Sequence, residues 1–195
     1  MAIQLEPSAL HYHSRAFNYA ALAQYQNAIN DYTTAIQLEP MAVSYYNRGI
    51  NYADLGQYQN AINDVTMAIQ LEPSAGYYNE RGYYYNQLGQ YQNAINDYTA
   101  DIQKAPAAVS YNNRGNVYNE LGQFRNAIAD LTKAIQLDPD DGVYYGNRGN
   151  SYFGLGQYQN AVTDYSKAIQ LSSKFARAYY NRRLAYFELG QDSLA

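Results

Sequence analysis

The side chains that this sequence repeats at regular spacing are amides and phenols rather than acids, bases or thiols. Asn47, Asn113 and Asn147 occupy one repeating position, and Asn79, Asn112, Asn116, Asn119 and Asn150 fall at neighbouring ones. Each amide offers two N–H donors and a carbonyl acceptor. A row of them on one face can pair with the peptide units of an extended chain without reading its side chains. Tyr83, Phe153 and Tyr180 flank the row and supply apolar surface for selectivity. Catalytic and metal-binding groupings are missing from the pattern. His11 and His13 are two residues apart, which on a helix turns them to different faces, unlike a metal-binding pair four apart. Asp138, Asp140 and Asp141 precede Gly142 without the later ligands or closing Glu of a calcium loop. No Ser or Thr has an adjacent His base, and the glycines are isolated rather than gathered into a phosphate-binding loop. The expectation is a binding protein, not an enzyme, with no cofactor and no metal.

Composition narrows the class of partner. Hydrophobic residues make up 47% of the 195, so the chain can bury a core. Tyr supplies 25 residues while Cys is absent, which excludes disulfides and thiolate metal sites. The net charge of −4 disfavours nucleic acid, whose binders carry a basic face. No apolar run approaches the length of a membrane span, and Met1 to Pro7 lacks the basic and apolar regions of a signal peptide. The chain reads as soluble and cytoplasmic, with a protein or peptide as its ligand, no nucleic acid and no membrane.

Repetition positions these groups. Leu55-Gly56-Gln57-Tyr58 recurs at Leu88, Leu121 and Leu155, has a degenerate first copy at Leu22-Ala23-Gln24-Tyr25, and begins again at Leu189. The steps are 33, 33, 33, 34 and 34 residues. Within a unit, Tyr58, Ala61, Ile62, Val65, Ala68 and Ile69 follow spacings of three and four, one face of a helix. Tyr45, Gly49, Tyr52 and Leu55 do the same on a preceding helix. Gly56 allows a left-handed end to the first helix and Pro73 stops the second. Eleven helices are predicted, over about 9–21, 24–38, 42–54, 57–71, 75–87, 90–104, 108–120, 123–137, 142–154, 157–171 and 176–189.

Aligned units form columns. Tyr12, Tyr45, Tyr78, Tyr111, Tyr145 and Tyr179 make one; Tyr19, Tyr52, Tyr85, Tyr118, Tyr152 and Tyr186 another. A small column, Ala16, Gly49, Gly82, Gly115 and Gly149, is expected to face Ala28, Ala61, Ala94, Ala127 and Ala161 across a close helix pair. Tyr111-Asn112-Asn113-Arg114-Gly115 followed by Tyr118, Leu121-Gly122, Ala127, Leu131, Ala134 and Pro139 resembles the tetratricopeptide repeat (TPR) family, and the likeness runs through nearly the whole chain. It implies an all-α, right-handed α-solenoid of stacked antiparallel helix pairs whose first helices line a concave groove, and a role in protein interaction. On this reading residues 1–8 are the remnant of a preceding second helix. Five repeats occupy 9–41, 42–74, 75–107, 108–141 and 142–175, and residues 176–195 form a solvating C-terminal helix and tail, with Arg183 in the small column because no second helix faces it.

Two departures from the family matter. Arg15, Arg48, Arg81, Arg114, Arg148 and Arg182 stand where the family more often has a large apolar residue, and Asp31, Asp64, Asp97, Asp130 and Asp164 are candidate partners for them. Asp101 and Lys104 replace the Ala and Leu of other units, and Asp101 is expected to find an Arg or Tyr of the next unit or to bend outward. The leading function is an adaptor whose groove grips an extended segment, partly through an Asn ladder that resembles one some family members use, with few groove charges and weak salt dependence. The alternative is a structural protein that self-associates end to end through open solenoid ends.

Overall fold

The computed structural model describes residues 8–172 and 176–191. The expected helix remnant at residues 1–8 lies outside them except for Ser8, as does the end of the C-terminal tail. The chain divides into two compact units, residues 1–104 and 105–195. The first holds α1 (Ala9–Ala21), α2 (Tyr25–Leu38), α3 (Ala42–Asp54), α4 (Tyr58–Leu71), α5 (Ala75–Gln87) and α6 (Tyr91–Lys104). Its helices pair as α1 with α2, α3 with α4 and α5 with α6, while α3 packs on α2 and α5 on α4. The second unit holds α7 (Ala108–Glu120), α8 (Phe124–Leu137), α9 (Gly142–Gly154), α10 (Tyr158–Leu171) and α11 (Ala176–Glu188). There α7 pairs with α8 and α9 with α10; α9 packs on α8, α11 packs on α10, and α9 touches both α7 and α11. No strand occurs among the described residues.

Punctuation sets the helix ends. Gly56 has φ +73°, its N–H bonds Ala53 O at 2.8 Å, and the Gln57 N–H bonds Tyr52 O at 2.8 Å. These two bonds satisfy carbonyls that the last turn of α3 leaves open. The degenerate copy forces Ala23 into the same turn at φ 56°, the one non-glycine with positive φ among the described residues. Each second helix starts one residue later than predicted, because the preceding Gln remains non-helical as its cap. That Gln accepts a bond from the Asn three residues on, as Asn60 does to Gln57 at 2.9 Å. At the far end Glu72, before Pro73, is extended at φ −148° and ψ 100°, the conformation a following proline favours.

The core is built from small residues against one large side chain per pair. Ala61, Ala94, Ala127 and Ala161 are fully buried, as are Tyr32, Val65, Tyr98, Leu131 and Tyr165. The glycine column packs on that second set. A Cβ added at Gly82 meets the Tyr98 ring at 3.0 Å, not Ala94 as the sequence suggested, and one at Gly149 meets Tyr165 at 2.7 Å. The alanine column contributes backbone instead: Ala61 O stands 3.3 Å from the position a Gly49 Cβ would take.

The arginine column is paired. Arg48 donates from Nε and Nη2 to the two Asp64 carboxylate oxygens, both at 2.7 Å, and from Nη1 to Thr33 Oγ1 of the preceding repeat at 3.0 Å. Arg81 and Arg148 repeat the arrangement with Asp97 and Thr66, and with Asp164 and Thr132. The Arg48 guanidinium also stacks over Tyr45 and Tyr52, at 5.6 and 5.9 Å from their centroids. A charge is thus tolerated at an otherwise apolar position because it is bidentate with one carboxylate, stacked on two phenols and tied to a neighbouring helix. Arg182 donates to Ser166 Oγ at 3.2 Å.

Candidate functional site

The first helices of unit 2 bring four of the sequence-selected amides into one recess. Asn116, Asn119, Asn147 and Asn150 line an open space of about 480 Å3 together with Glu120, Phe124 and Arg177. Two smaller cavities adjoin them around Asn150, Tyr165 and Asn181. One, of about 170 Å3, is walled by Val143, Gly146, Ala178 and Arg177; the other, of about 120 Å3, by Phe153 and Leu184. The spacing of the repeat explains the convergence. Positions three or four apart on α7 and α9 share a helix face, and the same face recurs one repeat later.

Several of these amides cross-link the helices that carry them. Asn147 Nδ2 donates to Asn112 Oδ1 at 2.8 Å, Asn119 Nδ2 to Asn147 O at 3.3 Å, and Ser151 Oγ to Asn119 Oδ1 at 2.7 Å. Asn150 Oδ1 accepts from both Tyr165 OH and Asn181 Nδ2, each at 2.9 Å. Burial pushes the Tyr165 phenol up, so it stays a neutral donor. Asn112 is buried at 8% exposure and serves the network rather than solvent. Asn116 is half-buried and its side chain makes no hydrogen bond among the described residues, and Asn150 keeps its NH2 donors. The recess therefore combines fixed amides with free ones.

The remaining candidates lie elsewhere. Asn47 is half-buried on α3 in unit 1, Asn113 is half-buried on α7, and Tyr83 is 43% exposed on α5. Phe153 meets Tyr158 edge-on at 5.2 Å, and Tyr180 is 58% exposed on α11. Asn79 is turned inward: its Nδ2 donates to Asp101 Oδ2 at 2.9 Å. This corrects the expectation for Asp101, which is buried at 4% exposure and takes its partner from its own repeat rather than from an Arg or Tyr of the next. Lys104 sits 5.8 Å from the Tyr78 ring centroid.

Arg177 and Glu120 were missed. Arg177 follows Leu10, Val43, Gly76, Val109 and Val143 down a column that is apolar or glycine in every earlier repeat, so column logic gave it no prominence. The groove of unit 2 is thus not free of charge.

The other polar motifs have local tasks. His11 caps α1 with Ser8, and His13 Nδ1 bonds Ser44 Oγ at 2.9 Å. Asp141 caps α9 by accepting from the Val143 N–H at 2.8 Å. Among the described residues no group of three or more His, Cys, Asp or Glu could hold a metal ion, and no helix is long and apolar enough to cross a membrane.

Family models described as tetratricopeptide repeat match residues 12–40, 46–113 and 108–141, and one described as TPR repeat matches residues 149–190. The chain belongs to the tetratricopeptide repeat family. Comparison with curated proteins gives no match. Among solved structures this TPR chain is similar to MamA protein, at TM-score 0.80 and 24% identity over 87% of this chain and 94% of that one. It is similar to YrrB, described as a TPR protein with an unusual peptide-binding site, at TM-score 0.79 and 18% identity over 91% and 93%. A tetratricopeptide repeat protein from Parabacteroides merdae aligns at TM-score 0.85 and 18% identity over 97% and 76%. At these identities the likeness is one of fold. The TPR fold supports a protein-interaction scaffold.

Proposed function

We propose that this TPR protein is an adaptor that holds an extended peptide segment of a partner in the amide-lined groove of unit 2, and that it contacts the peptide backbone more than its side chains. The observation that carries the reading is the recess of about 480 Å3 whose lining includes Asn116, Asn119, Asn147 and Asn150. Amides held by one another cannot collapse into the groove, and those left open offer both donors and acceptors to peptide units. The cavity between Phe153 and Leu184, about 120 Å3, takes one modest apolar side chain. Arg177 adds a preference for an acidic residue near it.

Asn116→Ala is the informative variant, because Asn116 serves no fold-internal bond. Asn147→Ala also breaks the link to Asn112 and mixes folding with binding. A peptide selected by display against the intact chain should lose about two- to tenfold in affinity to Asn116→Ala by calorimetry, the worth of one or so amide–backbone bonds. Unchanged affinity for every selected peptide would refute the reading. End-to-end self-association remains the second reading, and concentration-dependent light scattering distinguishes it.

A further inference from the structure

Unit 1 presents a groove face of different chemistry. The positions equivalent to Asn116, Asn119, Glu120, Asn147, Asn150 and Arg177 carry only two charges in α1, α3 and α5, Asp54 and Glu80, and both are negative. The three arginines of these helices are each bound to an Asp. Aromatic rings cluster on the same helices. Glu80 precedes Tyr83 by three residues and Tyr84 by four, so all three share a face of α5. Tyr83 and Tyr84 meet edge-on at 5.8 Å, Tyr58 lies 6.1 Å from Tyr84, and Tyr46 packs on Tyr77 at 4.6 Å.

Tyr84 is the buried centre of the same cluster. It is 1% exposed, and its hydroxyl is closed to solvent. Burial first, and then the charge of Glu80, push the phenols of Tyr46, Tyr84 and Tyr98 up, and Tyr84 responds to Asp54 as well. The Tyr84 hydroxyl therefore lies within the field of both carboxylates. Electron-rich ring faces and two acids form a complement to a cation.

We infer that the α3–α5 face of unit 1 docks a lysine or arginine side chain of a partner segment, seated against Tyr46 and Tyr83 and paired with Glu80. An ammonium or guanidinium gains ring quadrupole attraction and a carboxylate partner together, where neither alone holds a cation at a wet surface. The site does not depend on the amide recess of unit 2, and either can fail without the other.

The test uses the whole chain with ring-labelled tyrosine and two capped pentapeptides, Gly-Gly-Lys-Gly-Gly and the same peptide with norleucine for lysine. The lysine peptide should shift the Tyr46 and Tyr83 ring signals in a saturable way, and the norleucine peptide should not. Raising salt from about 0.05 to 0.5 M should weaken binding several-fold, since the Debye length shrinks from about 14 Å to about 4 Å. Glu80→Gln, with an unchanged far-UV spectrum, should lower the affinity by about three- to tenfold. Equal shifts with norleucine, an affinity indifferent to Glu80→Gln, or shifts absent from α3 and α5 would each overturn the proposal.

Discussion

Replacing Asp64 by Ala strands a guanidinium that the fold has arranged to neutralise. Arg48 and Asp64 are 15% and 8% exposed at their side chains, joined by two bonds at 2.7 Å. Breaking a buried pair from one side costs about 3–5 kcal/mol, because the surviving charge has lost its partner but not its desolvation. Arg48 is not fully enclosed and keeps its bond to Thr33, so the cost falls to roughly 2–4 kcal/mol. At this chain length that is a fall of roughly 4–16 °C in Tm. The internal control is Asp31→Ala, because Arg15 is 58% exposed and can return to water; its effect should be close to nil. Adding Arg48→Leu to Asp64→Ala should restore much of the loss, since an apolar residue fits among Tyr45, Tyr52 and the alkyl parts of α4. Thermal unfolding followed by far-UV circular dichroism reads all three. If Asp64→Ala shifts Tm no more than Asp31→Ala, the repeated Arg–Asp–Tyr arrangement is surface decoration and the account of the arginine column is wrong.

Ala23→Gly should stabilise the chain by about 0.5–1 kcal/mol, because removing the Cβ relieves a left-handed residue by more than the added freedom of the unfolded chain costs; a lower denaturant midpoint would contradict this. Gly149→Leu should destabilise by about 1–3 kcal/mol or more, since even a Cβ there meets a Tyr165 ring pinned through its hydroxyl to Asn150, whereas Arg183→Leu at the same column should change the midpoint little. His13 has its pKa lowered by burial, so the unfolded chain binds more protons below pH 6.5 and stability should fall as pH drops through that region. His13→Gln should flatten that part of the Tm–pH curve, and an unchanged slope would assign it to other groups.

Much of the architecture was legible because glycine, proline and period-33 columns act through the backbone and through burial, which depend on residue type alone. Ala23 shows the limit from one side: the turn persists when its preferred residue is absent, because the flanking helices impose it. Gly82 shows it from another. The small column did signal a close approach, but which atom of the partner helix stands opposite, Tyr98 rather than Ala94, depends on the axial stagger of the pair. The pairing of the arginine and aspartate columns followed from charge and period, whereas the third link to Thr33 and Thr66 did not, since nothing distinguishes a helical Thr that bonds an Arg from one facing water. The amides were least legible. Column membership placed Asn112, Asn116, Asn147 and Asn150 on one face, but an amide chooses among neighbours by rotamer. Asn147 turns to Asn112 and Asn79 to Asp101, and Asn116 turns to neither. Arg177 escaped notice because it breaks an apolar column only in the last repeat.

The central claim is that the unit 2 groove grips the backbone of an extended segment. Its most direct test is an ester scan of a display-selected peptide, in which each peptide N–H in turn is replaced by oxygen while the side chains are kept. Two or three adjacent esters should each weaken binding to the intact chain by about two- to tenfold, and that penalty should shrink for one of them when the protein carries Asn116→Ala. Affinity that is insensitive to every ester, but abolished by single side-chain truncations of the peptide, would show that the groove reads side chains and that the amide row is not its ligand-binding element.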